Sequence, residues 1–170
     1  MELIIDAGGT NDRLAVALET CSRQHIRNER PKELPPEMIQ AGLEMDRKTN
    51  PNAKLRSASS TYNCMGMVFA SRRTCIDIEE LEFILKEDKY RRLSGLNEVE
   101  VGDVVVYYEN ETPTHVGLII GLEFDIANAS REVKVLSKWG HHGEYIHLIQ
   151  DVPYQYGIPK AFWTDRRKPS

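Results

Sequence analysis

Four runs of β-branched and aromatic residues constrain this chain most: Val104-Val105-Val106-Tyr107-Tyr108, His115-Val116-Gly117-Leu118-Ile119-Ile120, Val133-Lys134-Val135-Leu136-Ser137-Lys138-Trp139 and Tyr145-Ile146-His147-Leu148-Ile149. Such composition is that of strands. The connections are rich in Asn, Glu, Gly and Pro, and short links of this kind join neighbouring strands into an antiparallel meander. Helical signals come before it. Asn63 is a good N-cap for a helix whose Met65, Val68 and Phe69 recur at helical spacing, which puts Cys64 in the first turn. Asp77-Ile78-Glu79-Glu80 has capping-box spacing ahead of a stripe of Leu81, Ile84 and Leu85. Helices first and a sheet after predict an α+β domain over residues 61–170.

The first 60 residues read differently. Pro31, Pro35, Pro36 and Pro51 punctuate them, with Asn50, Asn52 and the small residues Ser57 to Thr61. Leu14, Ala17, Leu18 and Cys21 share one helical face after Thr10 or Asn11 as cap, and a second helix is expected from Pro35 or Pro36 through Met38, Ile39 and Leu43. Residues 1–60 are therefore expected to be an N-terminal helical extension or arm. An arm of this kind can serve as a lid or as the surface that meets a protein partner.

Several function classes are excluded. With 22 basic and 26 acidic side chains, net charge −4, the chain has no basic stripe for phosphates, so nucleic acid is not an expected partner. No apolar run approaches the roughly 20 residues that cross a bilayer. Met1-Glu2-Leu3-Ile4-Ile5-Asp6 lacks the basic start of an export signal, which predicts a cytoplasmic protein with no membrane partner. Cys21, Cys64 and Cys75 are odd in number and lack CxxC spacing. His141, His142 and His147, even with Cys64, Cys75 and Glu144, lack metal-ligand spacing, and Ala7-Gly8-Gly9-Thr10 is no phosphate loop, so neither metal nor cofactor is expected.

Two residues carry the chemistry. A thiol in a first helical turn is favoured as thiolate, the nucleophilic form, although Cys64 followed by Met65, Gly66 and Met67 reads on its own as a small core residue. His115 raises it. This histidine stands at the mouth of a strand, after Glu111-Thr112-Pro113-Thr114, and cysteine with histidine supplies a nucleophile and a base from positions distant in sequence.

The segments Tyr62-Asn63-Cys64-Met65-Gly66-Met67-Val68, Val101-Gly102-Asp103-Val104 and Thr114-His115-Val116-Gly117-Leu118 resemble the NlpC-type branch of papain-like cysteine peptidases. The resemblance covers about residues 60 to 140. A looser likeness, to about residue 157, is to small bacterial domains with Tyr-Asn-Cys, Pro-Thr-His and Ser-Lys-x-Gly followed by a histidine. What the resemblance implies is a papain-like NlpC-type fold and a cysteine hydrolase: a peptidase, amidase or acyltransferase acting on a peptide or another amide-containing substrate. In it Cys64 attacks the carbonyl and His115 serves as base and then as acid. A third residue normally orients the histidine. Many members place a second histidine or an amide there, whereas this chain has Ser137-Lys138-Trp139. A serine hydroxyl accepts from an imidazole N–H and a lysine cannot, so Ser137 is the first choice and His147 the second. Tyr62, Asn63, Lys138 and Trp139 are expected to line the substrate groove. Peptidoglycan is the usual target of that branch; without an export signal, a cytosolic peptide, a cell-wall precursor, or delivery by a dedicated secretion system is implied. The alternative is a non-catalytic papain-like module that holds a peptide or partner protein.

Overall fold

The computed structural model describes residues 14–126 and 130–167. Its elements are β1 (Asn28–Glu29), α1 (Pro36–Thr49), β2 (Lys54–Ala58), α2 (Cys64–Phe69), β3 (Cys75–Ile76), α3 (Leu81–Glu87), β4 (Arg91–Arg92), β5 (Val104–Glu109), β6 (Thr112–Asp125), β7 (Ser130–Trp139), β8 (Gly143–Leu148) and β9 (Ile158–Thr164). The fold is α+β. Seven strands form one antiparallel sheet in the order β2-β8-β7-β6-β5-β9-β4, with β1 and β3 paired apart from it. The expected meander is its centre, β5 to β8. The chain then wraps both edges: β9 returns beside β5, and β2, from the segment expected to be an arm, pairs with β8.

Strand alternation sends successive side chains to opposite faces, and each face has its own core. On one face Val104, Val106 and Val116 pack with Met65 of α2 and with Leu81, Ile84 and Leu85 of α3. Leu136 joins Met67 and Tyr62 on the same side. On the other face Val105, Tyr107, Ile119, Val133 and Val135 pack under Leu93, Val99 and Ile149 from the connecting segments. Covering both faces explains why β5 reads as a continuous apolar run and not as an alternation.

Of the predicted helices, α1 begins at Pro36 after Pro35, and α2 begins at Cys64 with Asn63 as cap, as the sequence indicates. The helix expected across Leu14 to Cys21 is absent: its described part is extended, with Leu14 bridged to Arg30 and Glu19 to His25. The physical reason is a competing set of bonds, because the Asn28 amide satisfies both the N–H and the carbonyl of Val16, and Thr20 closes a turn onto Gln24. Its proposed caps Thr10 and Asn11, and the Ala7 to Thr10 stretch, lie outside the described residues. The stripe of α3 is buried as expected, but Asp77 makes no side-chain cap, and Glu80 instead accepts from Arg27 at 2.6 Å.

Gly66 explains how α2 sits so close to β3. A Cβ there would stand 1.7 Å from the Thr74 carbonyl oxygen. Gly157, at φ 75°, does the same between β9 and β5, where a Cβ would meet the Tyr108 carbonyl oxygen at 1.9 Å. Among the described residues no helix is long and apolar enough to cross a membrane.

Candidate functional site

Asn63 fixes the start of α2. Its side-chain oxygen accepts from Gly66 N–H at 2.9 Å and Ile76 N–H at 3.1 Å, and its amide donates to the Ile76 carbonyl at 2.7 Å. These three bonds clamp helix to strand. Cys64 follows, partly exposed as a residue, with burial of its thiol pushing the pKa up against the backbone N–H groups of Val116, Met65 and Cys64 itself, which favour the thiolate. A helix of six residues has little dipole of its own, so the donor that matters is Val116, presented from β6.

On the same face lies Lys138, two residues beyond Leu136 in β7. It is fully buried. Its ammonium donates to the Gly140 carbonyl at 2.9 Å and stands 5.3 Å from the centre of the Tyr62 ring. Burial lowers its pKa to about 8. Glu144, its register partner in β8, is also fully buried but is already committed: Arg72 donates to it twice, at 2.7 and 3.0 Å, and the Tyr62 hydroxyl once, at 3.1 Å.

His115 occupies the other face. It is the register partner of Tyr107, whose ring is 5.6 Å away, and it stacks on Tyr156 at 3.9 Å and 14°. Thr114 secures that stack by donating to the Tyr156 carbonyl at 2.6 Å. Only 1% exposed, His115 has no hydrogen-bond partner at either ring nitrogen among the described residues. Burial, helped by nearby His147, lowers its pKa to about 3, which keeps the imidazole neutral.

The residues predicted from sequence are thus grouped in two sets. His115, Ser137, His147 and Trp139 share one face; Cys64, Tyr62 and Lys138 share the other. The Ser137 hydroxyl bonds to His147 Nε2 at 2.8 Å and accepts from the Trp139 indole at 2.9 Å, so its partner is His147 and not His115. His147 Nδ1 meets the Leu148 carbonyl at 2.8 Å, and burial lowers its pKa. No hydrogen bond links the Cys64 thiol to the His115 ring. Tyr62, Lys138 and Trp139, expected at a groove wall, are interior side chains. His142 lies against Asp46 of α1, apart from His147, and no cluster of three metal-ligating side chains occurs among the described residues.

Sequence reasoning did not anticipate Tyr156 as the platform for His115, nor Lys138 as the charge on the cysteine side. For Lys138 the run carried no distinguishing signal, because Lys134, four residues earlier and in the same strand phase, is instead partly exposed and paired with Glu123. For Tyr156 there was none, since its contact depends on how the chain returns after β8. Comparison of the chain with known protein families, with characterised proteins and with solved structures gives no match.

Proposed function

We propose that the protein is a cysteine hydrolase that opens an amide bond of a peptide or related substrate, with Cys64 as nucleophile and His115 as the base. The observations that support it most are a fully buried imidazole with no hydrogen-bond partner at either nitrogen among the described residues, and a thiol at the start of α2 whose thiolate is favoured by the backbone N–H of Val116, the residue next to His115 in β6. Buried polar groups are nearly always satisfied, and the exceptions gather at functional sites. In the reaction the sulfur bonds to the carbonyl carbon, the amine leaves with a proton from His115, and water releases the acid from the thioester. Thiol and imidazole are both neutral at rest and lie on opposite faces of β6, so catalysis requires the strand around His115 to rearrange and bring the ring to the sulfur.

The finer fold assignment, papain-like and NlpC-type, belongs to the same proposal; it draws on a cysteine opening a helix ahead of a meander whose second strand carries the histidine. So does a cytoplasmic site of action, or one reached through a dedicated secretion system, with no nucleic acid or membrane partner. The alternative, a non-catalytic module that holds a peptide or protein, is favoured by one observation: the thiol and the imidazole are not hydrogen-bonded to each other. Trapping decides between them. Incubation with a mixture of peptides and amides is expected to leave an acyl adduct on Cys64, detected by mass, that is absent in Cys64→Ala and slowed in His115→Gln. Peptide binding that survives in Cys64→Ala, with no adduct in the unaltered chain, would establish the binding module instead.

A further inference from the structure

The edge of the sheet at β2 and a cavity beside it converge on one surface. In the strand order β2 is terminal, so beyond its pairing with β8 its outer backbone groups meet no further strand among the described residues. All five of its residues are exposed. Such an edge is a template for one more strand. Helix α1 flanks it. Leu55 is in register with Tyr145, whose hydroxyl donates to Asp46 of α1 at 3.0 Å, so Leu55 points to the face that α1 covers. Between the helix and the edge lies a cavity of about 320 Å³ lined by Leu43, Arg47, Pro51, Ala53, Leu55 and Tyr145, a volume at the lower end for ligand sites. Glu44, at its rim, is held by Gln40 at 3.3 Å. Lys54 points to the opposite face, as does Arg56, which stands 3.5 Å from the buried Glu144. Neither Arg47 nor Lys54 has a hydrogen bond or ion pair from its side chain among the described residues.

We propose that β2 and α1 form a docking groove for an extended acidic peptide, which adds to the sheet as a strand beside β2. Hydrogen bonds to the outer edge of β2 hold its backbone. Strand alternation then sends every second side chain to the α1 side, where the cavity takes an apolar group. The side chains between them face Lys54 and Arg56, and acidic ones match that charge. Arg47 supplies a further cation on the cavity side. The same charges disfavour a second copy of this chain as the occupant, because pairing β2 with itself sets like charges along one seam. The groove contains neither Cys64 nor His115, so the inference is independent of the hydrolase reading.

The probe is a short fluorescein-labelled peptide of alternating glutamate and valine, tested on the full chain by anisotropy and by hydrogen exchange read at single amides by NMR. Binding is expected, with the outward amides of Lys54–Ala58 exchanging about tenfold slower or more at saturation. A peptide of the same composition in two blocks, and one alternating lysine with valine, are expected to bind at least about tenfold more weakly. Arg47→Glu combined with Lys54→Glu, both at exposed positions, is expected to turn the preference toward the lysine–valine peptide. Absence of binding, equal affinity for the alternating and blocked peptides, or binding that leaves the β2 amides unprotected overturns the proposal. So does protection of the outward β2 amides before any peptide is added, whether by a second copy or by another part of the chain. Cys64→Ala is expected to bind the peptide unchanged. An acyl adduct on Cys64 decides the hydrolase and protection of β2 decides the groove, so either can fail alone.

Discussion

Replacing His115 by phenylalanine tests whether the buried imidazole is held at a cost to stability. The ring stacks on Tyr156 at 3.9 Å and both its nitrogens lack partners. A buried polar group left without a hydrogen bond costs about 1–3 kcal/mol, and phenylalanine keeps the stack while removing both nitrogens. His115→Phe is therefore expected to stabilise the fold at pH 7 by about 1–2 kcal/mol, discounting some overpacking, or a rise in Tm of roughly 2–8 °C for a chain of this size. The pH dependence is a second, independent signature. The folded pKa is lowered to about 3 from 6.5, so between those values the unfolded chain binds one proton more than the folded one. Stability from this group is complete above the unfolded value and is lost as pH falls, by about 1.4 kcal/mol per unit in mid-window and ~2.3 kcal/mol between pH 6.5 and 4.5. His147, also lowered by burial, acts in both chains and cancels in the difference. Urea unfolding of the two chains at pH 4.5, 5.5, 6.5 and 7.5 measures it. Loss of stability in His115→Phe at pH 7, or an acid slope equal to that of the unaltered chain, would refute the reasoning and mean that the imidazole is satisfied.

Three further substitutions follow from the geometry. Arg72→Met removes two charge-assisted bonds from the fully buried Glu144; because the Arg72 side chain is 39% exposed, the loss belongs at the low end for a broken ion pair, about 2 kcal/mol, and a double-mutant cycle with Glu144→Gln by urea unfolding should show coupling. Asn63→Ala forfeits the cap and both bonds to Ile76; about 2–3 kcal/mol is expected from thermal melts, with Cys64 alkylated faster as the helix start loosens. Gly66→Ala would force α2 off the Thr74 carbonyl, costing about 1–3 kcal/mol, and hydrogen exchange should report the loss in residues 64–76 before the sheet.

The central sheet was legible because its strands are local in composition: β5 to β8 each carry enough β-branched and aromatic residues to be read one at a time, and the links between them set their order. The edge strands were not. Lys54–Ala58 is exposed throughout and polar at three of its five positions, so its membership of the sheet rests on pairing with β8 alone. The extended run from Leu14 hid behind a helical spacing because the Asn28 amide that unwinds it is distant in sequence.

The candidate site divides along the same line. Residue types, the N-cap at Asn63 and the placing of Cys64 at a helix start are local matters, decided by hydrogen bonds within a few residues, and the sequence alone determined them. Which face each side chain takes is a matter of strand phase. His115 and Val116 are adjacent in the chain, but alternation turns one toward Tyr107 and Tyr156 and the other toward α2. Only the tertiary structure could settle that phase, because both faces of this sheet are buried and no polar side remains to mark it; the same burial put Lys138, and not Ser137, on the side of Cys64.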